Sequence, residues 1–236
     1  MTIMAEGETA PEIRRVLVTA AHPDDPEFGC AATVAKWAGL GREITYLILT
    51  SGDKGSHDPT VRPGQIAALR EDEQRAAAAE LGVANVIFLN YADGTLENTL
   101  ELRRRLSLVI REQQPDIVLA IDPWRRYQLH PDHRAAGQAV VDAVWSAREW
   151  YIFPEQLLGD RQPWRTKEIY LYWAEAPDHW EDVAAGVERR IAALRRHASQ
   201  LGDRAATLEE RVRGWLKETA KDHDLEYAEA FKRIKL

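Results

Sequence analysis

A single cysteine, Cys30, stands in a chain of 236 residues. No intrachain disulfide can form, which suits a reducing compartment. Apolar runs all fall far short of a bilayer span, so no stretch reads as transmembrane. Positive charge is in deficit, with 31 Lys and Arg against 38 Asp and Glu and a net charge of −7. No global basic field therefore draws the chain to nucleic acid or to an anionic membrane. Residues 1–12 carry acids where a secretory signal would carry a basic region and an apolar core. They are expected to form a short flexible leader, and the protein to be cytoplasmic. Repeats, low-complexity tracts and linker-like stretches are missing too. Residues 13–236 are therefore expected to form one domain, with a helical C-terminal segment.

Two nucleotide signals are also absent. The glycine spacing of a dinucleotide site does not follow the first apolar run, and the glycine-rich loop Ser51–Asp58 lacks Walker spacing. The run Val16-Leu17-Val18 leads instead into Ala20-Ala21-His22-Pro23-Asp24-Asp25-Pro26-Glu27-Phe28-Gly29-Cys30. The flanking runs read as strands at Arg15–Ala20, Glu43–Thr50, Val86–Leu89, Asp116–Ile121 and Glu168–Trp173. Their continuous apolar and β-branched character is that of strands covered on both faces. Helical patterns occupy Gly29–Gly39, Gln65–Leu81, Leu96–Gln113, Arg134–Trp145, Asp182–Leu201, Leu208–Leu216 and Asp224–Ile234. The alternation predicts an α/β fold, a Rossmann-like, doubly wound and mostly parallel sheet with helices on both faces.

In such a sheet the first βα junction lies at the carboxyl end of a strand, where ligands bind. His22 and Asp25 are three apart and can converge on one point, which leaves Asp24 aimed elsewhere. A second cluster, His130-Pro131-Asp132-His133, comes after the fourth predicted strand. If the first and fourth strands flank the point where strand order reverses, the two clusters face each other. Two histidines and a carboxylate leave positions open for water and substrate, the make-up of a catalytic zinc site. Ferrous iron accepts the same donors. The plainer reading is that Asp24 or Asp25 caps the next helix, with Pro26 in its first turn. A carboxylate has two oxygens, so capping and metal binding are compatible.

The segment Ala21–Gly29 together with His130-Pro131-Asp132-His133 resembles the LmbE-like, or PIG-L, family of metal-dependent N-acetylglucosamine deacetylases. Thr50-Ser51-Gly52, Arg70 with Glu73, and Asp93-Gly94 extend the resemblance over most of the chain. The resemblance implies His22, Asp25 and His133 as zinc ligands and Asp24 as the general base on zinc-bound water. It makes His130 the stabiliser of the oxyanion or the acid for the leaving amine, with Asp132 orienting it. Arg70 and Asp93 would hold sugar hydroxyls. On residue type alone, Arg70 also suits a helix-surface ion pair and Asp93 a turn. One departure stands out: Pro26 occupies the place where the family usually has Glu, and Glu27 comes next.

Other features are less specific. The chain carries 8 Trp. Most suit core packing or a subunit interface, while Trp124, near the second cluster, could equally face a sugar. Cys30 reads as a small core residue. His57, His179, His197 and His223 have no partner cluster in sequence and read as structural or exposed. The implied partners are a small amino-sugar substrate and further copies of the chain in a homo-oligomer. Two other functions fit the residues: a non-catalytic carbohydrate-binding protein that keeps its metal for structure, and a metal-dependent phosphoesterase. The first would prefer four closed ligands. The second needs two ions and bridging carboxylates.

Overall fold

The computed structural model describes residues 13–56 and 58–236; the expected leader at residues 1–12 and His57 lie outside them. The strands are β1 (Arg15–Ala20), β2 (Glu43–Thr50), β3 (Asn85–Tyr91), β4 (Ile117–Ile121), β5 (Glu168–Tyr172), β6 (His179–Asp182) and β7 (Ala228–Lys235). The helices are α1 (Asp25–Gly29), α2 (Ala31–Gly39), α3 (Pro63–Leu81), α4 (Leu100–Gln113), α5 (Pro131–Ala147), α6 (Val187–Arg196), α7 (Ala198–Leu201) and α8 (Leu208–Ala220).

The seven strands of the described residues share one sheet in the order β3-β2-β1-β4-β5-β7-β6. The five from β3 to β5 run parallel; β7 pairs antiparallel with both β5 and β6. The expected α/β class and mostly parallel sheet are therefore present. Strand order reverses between β1 and β4, where Val16, Leu17 and Val18 face Ile117, Val118 and Leu119. β4 is buried along its length and β1 from Val16 onward, as continuous apolar runs require. Asp116 ties their starts together: its carboxylate accepts the amides of Arg14 and Arg15 at 2.9 and 3.0 Å and pairs with Lys167 at 2.7 Å. At the other end the chain leaving β1 and the chain leaving β4 open the crevice that houses the site.

On one side of the sheet α4 packs on α5; α2, α3 and α6 pack together on the other. Gly186 lets the start of α6 approach α2, since a β-carbon there would sit 2.1 Å from the Ala32 carbonyl oxygen. Beyond it Val187, Ile191, Leu194, Leu201, Leu208, Val212 and Leu216 form a second apolar cluster. No helix among the described residues is long and apolar enough to cross a membrane.

Two expectations need correction. Asp224–Ile234 does not form a helix; most of it is strand β7. Its Glu, Ala and Lys residues favour helix in isolation, but pairing on both edges overrides them. Glu229 shows why the strand is worth holding. Its carboxylate is buried, accepts the Ala32 and Thr33 amides in the first turn of α2 at 3.0 and 2.8 Å, and pairs with Arg190 at 2.6 Å. The helix expected from Asp182 begins only at Val187, after the short strand β6.

Candidate active site

The β1–α1 turn sets two adjacent carboxylates on different tasks. Asp24 takes a left-handed conformation, φ 88°, at the cap position of α1. Aspartate is among the few residues that tolerate that region. Neither aspartate side chain caps the helix. Asp25 turns back instead, accepting the His22 amide at 2.8 Å and lying 3.5 Å from His22 Nδ1. Its other oxygen is 3.2 Å from His133 Nε2. Asp24 points to Arg70, with Oδ2 at 3.3 Å from Nη2.

The second cluster opens α5. His130 holds the cap position and is exposed, Pro131 starts the helix, and Asp132 is fully buried. The imidazoles of His22, His130 and His133 gather with centroids 4.6 to 5.2 Å apart. Each can offer a nitrogen within 4.8 Å of the others, as can His22, Asp93 and Asp132 with their own polar atoms. The chain thus brings His22, Asp25 and His133 together, and sets His130 at the same range.

Asp132 corrects one expectation. Its hydrogen bonds go to His22 Nε2 at 3.1 Å and to the Gly94 and Leu96 amides at 2.7 and 3.1 Å, so it orients His22 rather than His130. Asp93 Oδ1 also lies 3.1 Å from His22 Nε2. With Nε2 engaged on carboxylates, Nδ1 faces Asp25, the pattern in which a carboxylate fixes the tautomer of a metal-binding histidine.

Electrostatics follow from this crowding. Burial disfavours the His22 cation, but Asp132, Asp25 and Asp93 outweigh it and lift the imidazole to about 12. Burial likewise opposes charge on Asp25, and His133 with His22 overcomes it, holding the carboxyl below the ordinary range. Burial lifts Asp24 to about 6, against the pull of Arg70 and with a push from Asp25. His130 is lowered by burial and by the two neighbouring imidazoles.

Arg70 and Asp93 lie in the same place. Arg70 is buried, and its Nη2 and Nη1 donate to the carbonyls of Pro23 and Gly52 at 2.6 and 3.1 Å. The surface ion pair that its residue type also allowed is thereby excluded. Gly52, at φ +61°, makes room for it, since a β-carbon there would lie 2.2 Å from Nη1. Asp93 accepts the Lys54 amide at 3.3 Å, and its own carbonyl accepts the Lys54 ammonium. These residues with His22, Asp24, Asp25, Gly55, His130 and His133 line a cavity of about 420 Å³.

The donors fit a divalent cation. Four carboxylates (Asp24, Asp25, Asp93 and Asp132) meet two permanent cations, Arg70 and Lys54, leaving two net negative charges when the histidines are neutral. A cation would displace the extra proton from His22, because ligands bind deprotonated. Imidazole nitrogens and a carboxylate oxygen are zinc-type donors that ferrous iron also accepts.

Sequence reasoning missed several participants. Lys54 was hidden in a loop without a signature. Trp173, at φ 55°, lies 5.3 Å from the His133 ring, whereas Trp124 is exposed and lines other cavities. Glu27 is fully buried, accepts Gln74 Nε2 at 3.0 Å and meets His197 Nε2 at 3.2 Å. Among the remaining expected structural histidines, His179 pairs with Glu181 at 3.1 Å and His223 stacks on Trp180. Cys30 is a buried free thiol between α1 and α2, as expected of a core residue.

The family described as PIG-L, GlcNAc-PI de-N-acetylase, matches residues 17–144, which hold both histidine clusters. Diacetylchitobiose deacetylase of Thermococcus kodakarensis is 33% identical over 189 residues, 80% of this chain and 71% of that protein. A probable N-acetyl-alpha-D-glucosaminyl L-malate deacetylase 2 of Bacillus anthracis is 29% identical over 87% of this chain and 90% of its own. The solved structure of N,N'-diacetylchitobiose deacetylase from Pyrococcus horikoshii superposes with a TM-score of 0.90 at 30% identity, covering 95% of this chain and 85% of that one. The fold is that of LmbE-like deacetylases. This chain belongs to the PIG-L family.

Proposed function

We propose that this chain is a zinc-dependent hydrolase that removes the N-acetyl group from an N-acetylglucosamine-type amino sugar or its conjugate. The observation that carries the reading is the divergence of Asp24 and Asp25: one carboxylate joins the histidines, while its neighbour faces the same cavity beside Arg70. The relatives' deacetylase activities support it.

His22, Asp25 and His133 would hold the metal. When bound, the metal lowers the pKa of water and polarises the amide oxygen. Asp24, with its pKa lifted to about 6 by burial, is ionised at neutral pH and takes the proton from the attacking water. Arg70 holds that carboxylate in place. His130, at the rim, donates a hydrogen bond to the developing oxyanion or a proton to the leaving amine. Water's oxygen forms the new bond to the carbonyl carbon and the C–N bond breaks. Acetate leaves with that oxygen and the free amine takes up the proton. Asp93, anchored to Lys54, offers a carboxylate to substrate hydroxyls.

Cytoplasmic location and homo-oligomeric assembly belong to the same proposal. The single cysteine supports the first, and the exposed aromatic side chains of Trp124, Trp145 and Trp150 support the second. Acetate release from N-acetylglucosamine, N,N'-diacetylchitobiose and N-acetylglucosaminyl conjugates by zinc-loaded protein is the direct test. Turnover of at least one is expected. Silence across the panel with correctly metallated protein overturns the reading.

A further inference from the structure

A chain of buried contacts runs from α6 and α7 to the Asp24 turn. The Asp24 amide donates to Gln74 Oε1 at 2.9 Å. Gln74 Nε2 donates to Glu27 Oε1 at 3.0 Å, and Glu27 Oε2 meets His197 Nε2 at 3.2 Å. Gln74, Glu27 and His197 are each 0% exposed. His197 Nδ1 has no hydrogen-bond partner although it is buried. A buried polar atom without a partner is unfavourable, so it is the bond from Nε2 that gives the imidazole its use there.

The contacts sit where position matters. Asp24 has a left-handed backbone, which aspartate tolerates and which the contacts around it fix here. Arg70 holds the turn through the Pro23 carbonyl and the Asp24 carboxylate. Gln74, one helical turn further along the same face of α3, holds the Asp24 amide. Gln74 has one amide group with two ends, and Glu27 fixes which end faces Asp24: a carboxylate only accepts, so it takes the NH₂ and leaves the oxygen for the Asp24 amide. His197 in turn supplies a donor to the far oxygen of Glu27. Neighbouring residues fasten the same segment: Ser199 donates to Glu73 through its amide and hydroxyl at 2.8 and 2.6 Å, and Gln200 to the Gly55 carbonyl at 3.1 Å.

We propose that His197 is a positioning residue for Asp24, acting through Glu27 and Gln74, so that residues beyond the stretch matched to the family help set the general base. The inference rests on the proposed role of Asp24 in amide hydrolysis. It gives Glu27 a task that needs no contact with metal or substrate. It also predicts that kcat depends on His197 and that substrate and metal affinity do not.

The test is a double-mutant cycle on zinc-loaded protein whose wild type hydrolyses an acetylated substrate; absence of wild-type turnover would count against the proposed function, not against this inference. His197→Ala is expected to lower kcat roughly 10- to 100-fold, the scale of a small misplacement of a catalytic group. KM should stay within about twofold and zinc affinity by calorimetry should be unchanged. His197→Gln, whose amide reaches the same point, should restore most of kcat. In an Asp24→Asn background the His197→Ala change should cost less than about threefold, since groups that act as one unit are non-additive. A merely structural role would cost the same in both backgrounds and would overturn the proposal, as would wild-type kcat in folded His197→Ala protein. Should His197→Ala fail to fold, Gln74→Met removes both amide bonds at similar volume. It must give the same kcat loss and the same non-additivity with Asp24→Asn, or the proposal falls.

Discussion

Asp24 and Asp25 are neighbours in the chain with opposed partners: Asp24 meets Arg70 at 3.3 Å and Asp25 meets His133 at 3.2 Å. One peptide unit separates the carboxylate proposed to hold the metal from the one proposed as the general base. Asp24→Asn should therefore lower turnover by roughly 10²–10⁴-fold and leave bound zinc unchanged. Asp25→Ala or His133→Ala should weaken zinc retention, with activity partly recovered in excess metal. Metal content and turnover measured on the same preparations check both halves. Loss of metal in Asp24→Asn with retention in Asp25→Ala would reverse the assignment.

His130 lies at the same range as the expected ligands but at the exposed rim. If its task is to stabilise the oxyanion, His130→Ala should slow turnover by on the order of 10²–10³-fold. Zinc content should persist. Parallel loss of zinc would make it a ligand instead.

Arg70 separates two roles by kinetics. Its donors to Pro23 and Gly52 and its pairing with Asp24 argue for holding the base. Arg70→Met is then expected to reduce kcat by roughly 10- to 100-fold with KM changed little. A rise in KM at constant kcat would return Arg70 to the hydroxyl-holding role.

Asp116 offers a pH test away from the site. Burial opposes its charge, but the Arg15 amide, Lys167 and the Arg14 amide outweigh it and hold the carboxyl below the ordinary range. A folded pKa below the unfolded one gives stability that is present above about pH 4 and is lost as pH falls through the folded value. Asp116→Ala should cost about 1–3 kcal/mol in urea unfolding at pH 7. The difference from wild type should shrink as the pH drops below about 4.

The parallel half of the sheet was legible because buried strands are continuous apolar runs: Leu47-Ile48-Leu49 and Val118-Leu119-Ala120 have few other fates. The first histidine cluster was legible because ionisable residues directly after such a run have to emerge at a strand end; the second stands further on, past the loop that leaves β4, where α5 begins. β7 was not, since Glu229 and Lys232 read as helix-forming until their partners Arg190 and Asp178 are known. Nor could the Glu27–Gln74–His197 contacts be read. They join residues far apart in sequence through single hydrogen bonds, which leave no periodic trace. The orientation of Asp132 toward His22 rather than His130 was hidden for the same reason. The family resemblance paired Asp132 with His130, whereas its carboxylate bonds to His22 across the site.

The place of β7 between β5 and β6 has a consequence for motion. Among the described residues β6 pairs with no other strand, so its inter-strand ladder exists only while β7 is seated. Whatever fluctuation releases β7 must release β6 with it. Hydrogen exchange should therefore find the β6 ladder amides no better protected than those of β7, and the pair should open as one unit. The same event would strip Glu229 from the first turn of α2 and from Arg190. The far edge of the sheet is thus tied to α2, the second helix after the Asp24 turn.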